Sequence, residues 1–345
     1  MQTISKLPIF AATLAMATAM TGCHNSDNEF PDFDYQTVYF ANQTVGRTIE
    51  LGRDTEIDLS ADNSHCFKIM AVMGGAYSNN ANRVINIAVD PTLCEDIRQV
   101  GGREIKVLPS NYYELESNTI VIPSGMMKGA VNVHLTDAFF ADPEALDFNY
   151  VLPVLMTGKE NVDSILEGKP AVENPKRTHA ADWTIQPQDY VLYFVRYVNP
   201  WHGSYLRRGT DKLTVGGTTT EIVRAADDVI RDEQVSLTTA AYKECEVTLS
   251  TRTDADHVYS YTLLLTFDDN NKCTVSSATE GVTASGSGEF VIDGAKGAIN
   301  GENRDMITLS YTVQGQGWSL QTEDSMVLRT RGIQASYPSI EVKPL

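Results

Sequence analysis

Apolar and polar positions along the chain change places over short distances. Arg83 to Val89 (RVINIAV) and Ala130 to Leu135 (AVNVHL) alternate in part, the period of a strand with one wet face. Thr119 to Ile122 (TIVI), Tyr150 to Met156 (YVLPVLM) and Asp189 to Val198 (DYVLYFVRYV) are more continuously apolar. The last of these predicts a strand buried on both faces or paired in a barrel. Cys245 to Leu249, Val258 to Phe267, Lys272 to Ser277, Gly288 to Ile292, Asp305 to Val313 and Trp318 to Leu328 continue the series, and Asp268 to Asn271 turns one hairpin. Turn formers stand between the segments: Gly74-Gly75, Ser78-Asn79-Asn80, Asp90-Pro91, Pro123-Ser124-Gly125. No long amphipathic helix and no internal repeat interrupts them.

The pattern predicts an all-β chain in two modules. Residues 35–158 read as an antiparallel sandwich. Residues 159–187, rich in Gly, Pro, Asn and acidic side chains, read as a linker. Residues 188–345 read as a meander, and a meander that closes into an up-and-down barrel removes its exposed edges.

The start of the chain gives an address. Lys6 precedes an apolar stretch from Leu7 to Met20, too short to span a bilayer comfortably, which reads as a secretory signal over residues 1–22. Met20-Thr21-Gly22-Cys23 resembles a bacterial lipobox, with Cys23 the lipidated first residue of the mature chain. Residues 23–34 form an acidic tether that resembles the export signal of lipoproteins displayed on the outer face of the Bacteroidetes outer membrane. The chain of 345 residues carries a formal charge of −18, and removing residues 1–22, whose one charge is Lys6, makes it more acidic. Such a surface repels phosphate backbones, so nucleic acid is excluded as a partner. Contact with membrane is expected through the lipid alone. Cys66, Cys94, Cys245 and Cys273 are not in CxxC pairs, which argues against zinc; they are disulfides or buried thiols.

Particular stretches also resemble known modules. Val38 to Asn42 (VYFAN), Asn111 to Ser117 (NYYELES), Thr119 to Gly125 and Asn149 to Gly158 resemble an N-terminal module of Bacteroidetes surface lipoproteins that has an immunoglobulin-like sandwich. Asp189 to Gly203, especially Tyr197-Val198-Asn199-Pro200-Trp201-His202-Gly203, and Asp324 to Gly332 are similar to a C-terminal module with a lipocalin-like barrel. The resemblance implies a lipoprotein of a polysaccharide-utilisation system that captures glycan at the cell surface, beside an outer-membrane transporter.

Candidate chemistry is sparse. Some relatives carry the N-terminal module ahead of a chitinase-like hydrolase, but the DxxDxDxE run of such a barrel is absent here. No motif singles out a carboxylate pair, and HExxH, GxSxG and a phosphate-cradling glycine loop are also missing. No enzyme, cofactor or metal is expected; Asp268 to Asn271 lacks the spacing of a calcium loop. Sugar recognition needs flat aromatic faces and planar polar groups. The richest cluster of both is Trp201, His202, Tyr205, Arg207 and Arg208. These residues either present a ligand face or plug the closed end of the barrel. Tyr112-Tyr113, Trp183 and Trp318 are further candidates, each equally suited to a core. Two other functions stay open: a carrier that holds a small apolar ligand inside the barrel, and an adhesive or structural protein.

Overall fold

The computed structural model describes residues 35–254 and 256–344; Cys23 and its tether lie outside them. The all-β expectation is met, with a two-sheet sandwich followed by a closed barrel. The first strands are β1 (Thr37–Tyr39), β2 (Thr44–Glu50), β3 (Cys66–Gly74), β4 (Arg83–Val89), β5 (Ile97–Gln99), β6 (Lys106–Val107) and β7 (Tyr113–Leu115). They continue as β8 (Thr119–Ile122), β9 (Lys128–Leu135), β10 (Tyr150–Glu160), β11 (Ser164–Ile165), β12 (Lys169–Pro170), β13 (Trp183–Ile185) and β14 (Tyr190–Val198). The later strands are β15 (Gly203–Val215), β16 (Thr218–Arg224), β17 (Glu233–Ala241), β18 (Glu244–Arg252) and β19 (Val258–Phe267). The last are β20 (Lys272–Ser277), β21 (Thr283–Ile299), β22 (Glu302–Gly315), β23 (Trp318–Thr330) and β24 (Ile340–Val342).

One sandwich sheet runs β11-β1-β3-β9-β7 and the other β2-β14-β10-β4-β8, with β6 beside β10. Phe67, Ile69, Ile85, Val133, Leu152 and Val195 are among the side chains packed between them. The apolar positions of β9 alternate with exposed ones, so one face meets this core and the other meets water.

β14 corrects the expected boundary at residue 188. It pairs in parallel with β2 from Leu192 to Val198 and antiparallel with β10, so it belongs to the sandwich. The physical reason lies in its continuous apolar run. Val191, Tyr193 and Val195 face the central core, while Tyr190, Leu192 and Phe194 pack against Leu93, Cys94, Ile97 and Val151 on the opposite face. Barrel strand β19, by contrast, alternates between buried and more exposed positions along most of its length. The start of the expected linker is sandwich too, since β10 runs to Glu160 and β11 pairs with β1, while β12 and β13 further along form a separate two-stranded sheet.

The barrel ring is β15 and β17 to β23, closed by a register from Ser204↔Thr330 to Val215↔Trp318 between β15 and β23. β17 and β16 share the other edge of β15: Gly203 to Arg207 pair with β17, and Gly209 to Val215 with β16. The two modules meet at Pro200. There the Arg331 guanidinium donates to the carbonyls of Leu51, Asn199 and Pro200 at 3.0, 3.0 and 2.9 Å. Beyond it the tail returns to the sandwich, where β24 pairs with β5.

Candidate ligand-binding surface

The Asn199-Pro200 turn feeds directly into β15, and the parity of that strand decides where its side chains go. Trp201, Tyr205 and Arg207 point into the barrel. Trp201 is 5% exposed, stacks on Phe267 at 4.0 Å and 8°, and donates from Nε1 to Asn271 Oδ1 at 3.3 Å. Tyr205 is fully buried and its hydroxyl donates to the Trp201 carbonyl at 2.8 Å. Together they plug the barrel at the module junction, so the expected aromatic ligand face at Trp201 and Tyr205 is corrected to core.

His202 is turned into the junction, where its Nδ1 accepts from the Thr239 amide at 3.2 Å. Burial, then Arg331 and Arg196, push its pKa down to about 4. Folding therefore favours the neutral ring over the imidazolium, which in an ordinary setting forms below about 6.5. The stabilisation from this ring is complete above that ordinary value and fades as pH falls toward about 4. We expect about 3 kcal/mol to be lost across that window. Urea midpoints of His202→Gln should fall less steeply between neutral pH and mild acid than those of the wild type. Parallel curves would refute it.

Above the plug, the barrel interior holds a charged network. Arg207 Nε donates to Asp324 Oδ2 at 2.9 Å and Nη1 to Glu233 Oε2 at 3.1 Å. Its Nη2 meets the hydroxyls of Tyr261 and Tyr311 at 3.4 and 3.3 Å, and Tyr311 donates to Asp324 Oδ2 at 2.9 Å. Arg224 reaches in from β16, with Nη2 at 2.7 Å from Asp211 Oδ1 and 2.5 Å from Asp324 Oδ1. Thr251 and Thr322 complete the shell of Asp211. The side chains of Arg207, Asp211 and Asp324 have no exposed surface. At the far end, half-buried Trp318 packs on Tyr259 and Tyr261 at 5.2 and 6.2 Å. A lumen of this kind, apolar at its base and ionic above, does not suit the small apolar ligand considered above.

The outer wall is different. Paired residues of β15, β23, β22 and β21 form rows across four strands, and each row faces outward. The rows are Arg208–Ser325–Thr308–Glu289, Thr210–Glu323–Ser310–Ser287, Lys212–Gln321–Thr312–Ser285 and Thr214–Ser319–Gln314–Thr283. Below them, Leu206–Val327–Met306–Val291 makes an apolar row that carries the extension of β21 and a short helical turn. A trough of about 670 Å³ lies over the first two polar rows. Val223 of β16 and Ala225, just past the end of that strand, also line it. A smaller hollow of about 270 Å³ continues over Lys212, Glu221 and Gln321. Of the five residues singled out from sequence, Arg208 alone lines the trough; it is held by Asp232, Nε to Oδ2 at 2.6 Å. Hydroxyls, carboxylates and a guanidinium are spaced by the sheet, with neighbouring strands about 4.8 Å apart.

The other candidates are structural. Tyr112 and Tyr150 both donate to the Asp142 carboxylate, and Trp183 Nε1 donates to the Lys176 carbonyl. Asp268 Oδ1 accepts from the amides of Asn270 and Lys272, a turn closed by its own backbone. The four cysteines after Cys23 are free and buried, and burial pushes the thiols of Cys94, Cys245 and Cys273 up to about 12. Among the described residues, no group of three or more His, Cys, Asp or Glu side chains is placed to hold a metal ion. No helix among them is long and apolar enough to cross a membrane.

Comparison with known proteins places this architecture. A crystal structure of a Bacteroides ovatus protein, described as structural genomics of unknown function, matches with 46% identity and a TM-score of 0.87. The match covers 90% of this chain and all of the other. The chain belongs to the family of that protein. Within it, residues 200–332 match a domain of unknown function, DUF5627, and residues 33–163 match a model described as a "-like, N-terminal domain". The barrel boundary at Pro200 is thus the boundary of a family domain. A second Bacteroides ovatus structure of unknown function is 14% identical, with 85% of this chain and 94% of the other covered and a TM-score of 0.41. A third, provisionally described as carbohydrate-binding, is 13% identical over 70% of this chain and 67% of the other, with a TM-score of 0.25. Neither likeness is close enough to carry an argument. No curated protein matches the chain.

Proposed function

We propose that this protein is a non-catalytic glycan-binding lipoprotein of a polysaccharide-utilisation system, moored through Cys23 to the outer membrane and facing the cell exterior. Glycan lies on the outer wall of the barrel, along the trough and its continuation. The observation that carries this reading is the contrast between the two sides of that wall. The inside is closed by packed aromatics and salt-bridged charge, while the outside offers rows of Ser, Thr, Glu, Gln, Arg and Lys and few competing apolar groups. Planar carboxylate, amide and guanidinium groups pair with adjacent sugar hydroxyls, and hydroxyl side chains donate or accept as required. None of the residues lining the trough is aromatic, so single contacts are weak; many copies on one membrane raise the effective affinity. The sandwich acts as spacer and scaffold, and a neighbouring transporter would take the captured chain.

Affinity gels cast with a panel of soluble polysaccharides test this. Retardation of the purified chain in at least one gel, with no rise in reducing ends, is expected. A protein that cleaves the polymer, or that pulls down one protein partner and no sugar, would refute it.

A further inference from the structure

The sandwich has two ends, and they are unlike. β3, β9, β10 and β14 run its length. Their ends at His65, Phe140 and Tyr197 meet Tyr242 of the barrel. The opposite end is built from three loops and the first described residues of the chain. Asn79 joins two of the loops, donating from Nδ2 to the carbonyls of Pro123 and Met126 at 2.8 and 2.9 Å. Asn161 ties in the third by donating to the Asn82 carbonyl at 3.1 Å. Asp163 accepts from the Gln36 amide at 2.7 Å, which fixes the point where the chain enters.

This end exposes three large side chains, Tyr35 at 61%, Tyr77 at 67% and Met126 at 55%. It is also nearly neutral in a chain of charge −18. Residues 74–82 (GGAYSNNAN) and 123–127 (PSGMM) carry no charge at all, and around them Arg83, Lys128 and Lys159 stand against Glu160 and Asp163; the acidic side chains of the tether lie outside the described residues. An acidic protein that must lie against anionic headgroups has to present such a face.

We propose that this loop end is a membrane-contact surface, with Tyr35, Tyr77 and Met126 seated in the lipid headgroup layer. The inference rests on the lipoprotein reading. The tether from Cys23 to Tyr35 is twelve residues in the sequence, so it reaches at most about 40 Å when fully extended. It enters the fold at this end and not at the barrel. Tyrosine suits the boundary layer because its ring is apolar and its hydroxyl is wet. Acyl chains alone would leave the body free to swing; a seated tip stands the sandwich upright. β3, nine residues long, then lifts the barrel and its outer trough by about 30 Å.

The test uses the full acylated chain, purified from cells and reconstituted in phosphatidylethanolamine–phosphatidylglycerol vesicles with headgroup-level spin-labelled lipid. A fluorophore is placed on Met126→Cys at the tip or on Gln316→Cys in the exposed turn at the far end of the barrel. The four native thiols are buried and do not compete for label. Quenching by the labelled lipid should be at least about twofold stronger at residue 126 than at 316. It should also weaken when Tyr35→Ser and Tyr77→Ser are added. The mass of the N-terminal peptide is read first. An unmodified Cys23 overturns the lipoprotein reading and this proposal with it. An acylated chain with both labels equally unquenched overturns the membrane contact alone and leaves the tip to a protein neighbour.

Discussion

Replacing Trp201 with Ala should cost about 3–5 kcal/mol of stability, the usual penalty for emptying a buried aromatic site. The indole is stacked on Phe267 and hydrogen-bonded to Asn271, while the backbone carbonyl of Trp201, which the substitution keeps, accepts from the Tyr205 hydroxyl. Truncation opens a cavity at the base of the barrel and releases the β15 entry from the β19–β20 hairpin. The loss should appear as a lower urea midpoint, with a smaller loss for Trp201→Phe, which keeps the stack. A Trp201→Ala chain of unchanged midpoint would mean that the indole is not part of the core. An aromatic platform for sugar would behave in that way: binding would vanish while stability stayed put.

Asp324→Ala should be as damaging, by about 3–5 kcal/mol, because it strips the shared anion from two buried cations. Asp324 Oδ2 receives Arg207 Nε and the Tyr311 hydroxyl, and Oδ1 receives Arg224 Nη2. Without it, Arg207 keeps only the half-exposed Glu233 and two tyrosine hydroxyls. Arg224 of β16 loses one anion but keeps Asp211 and Thr322, and β16 keeps its pairing with β15, so that strand should loosen less than the core. Hydrogen exchange of the Glu221–Arg224 amides and chemical unfolding would report both effects. Salt should change the loss little, because the pair is out of reach of screening ions. A variant as stable as the wild type would show that the network contributes nothing net.

Much of this fold could be read from residue order, and the failures have physical causes. Alternating segments such as β4 and β9 declare one wet face, and the turns between them declare antiparallel neighbours. Tyr190–Val198 declares two buried faces but not which module supplies the second cover. That cover is a separate cluster around Leu93 and Ile97, invisible to local pattern. The Trp201 cluster was legible as chemistry and misleading as geometry. Strand parity puts Tyr205 and Arg207 on one side of β15 and Arg208 on the other, while Trp201 and His202 precede the strand and take their directions from the Asn199-Pro200 turn. The same parity sets Asp211 and Asp324 on inward positions, a signal that a charged core was coming. The outer rows depend on register between β15, β23, β22 and β21, which no single segment contains. The address at Cys23 lies outside the described residues and stands on sequence.

The account turns on glycan lying outside the barrel. Its most direct test compares the mobility of the wild type and of Ser310→Arg, in the middle of the four-strand face, in a polysaccharide gel that retards the wild type. Ser310 is exposed and bonded to its neighbours through backbone only, so the variant should keep the wild-type urea midpoint and lose the retardation. Undiminished retardation of a folded Ser310→Arg chain would contradict the assignment of the outer face.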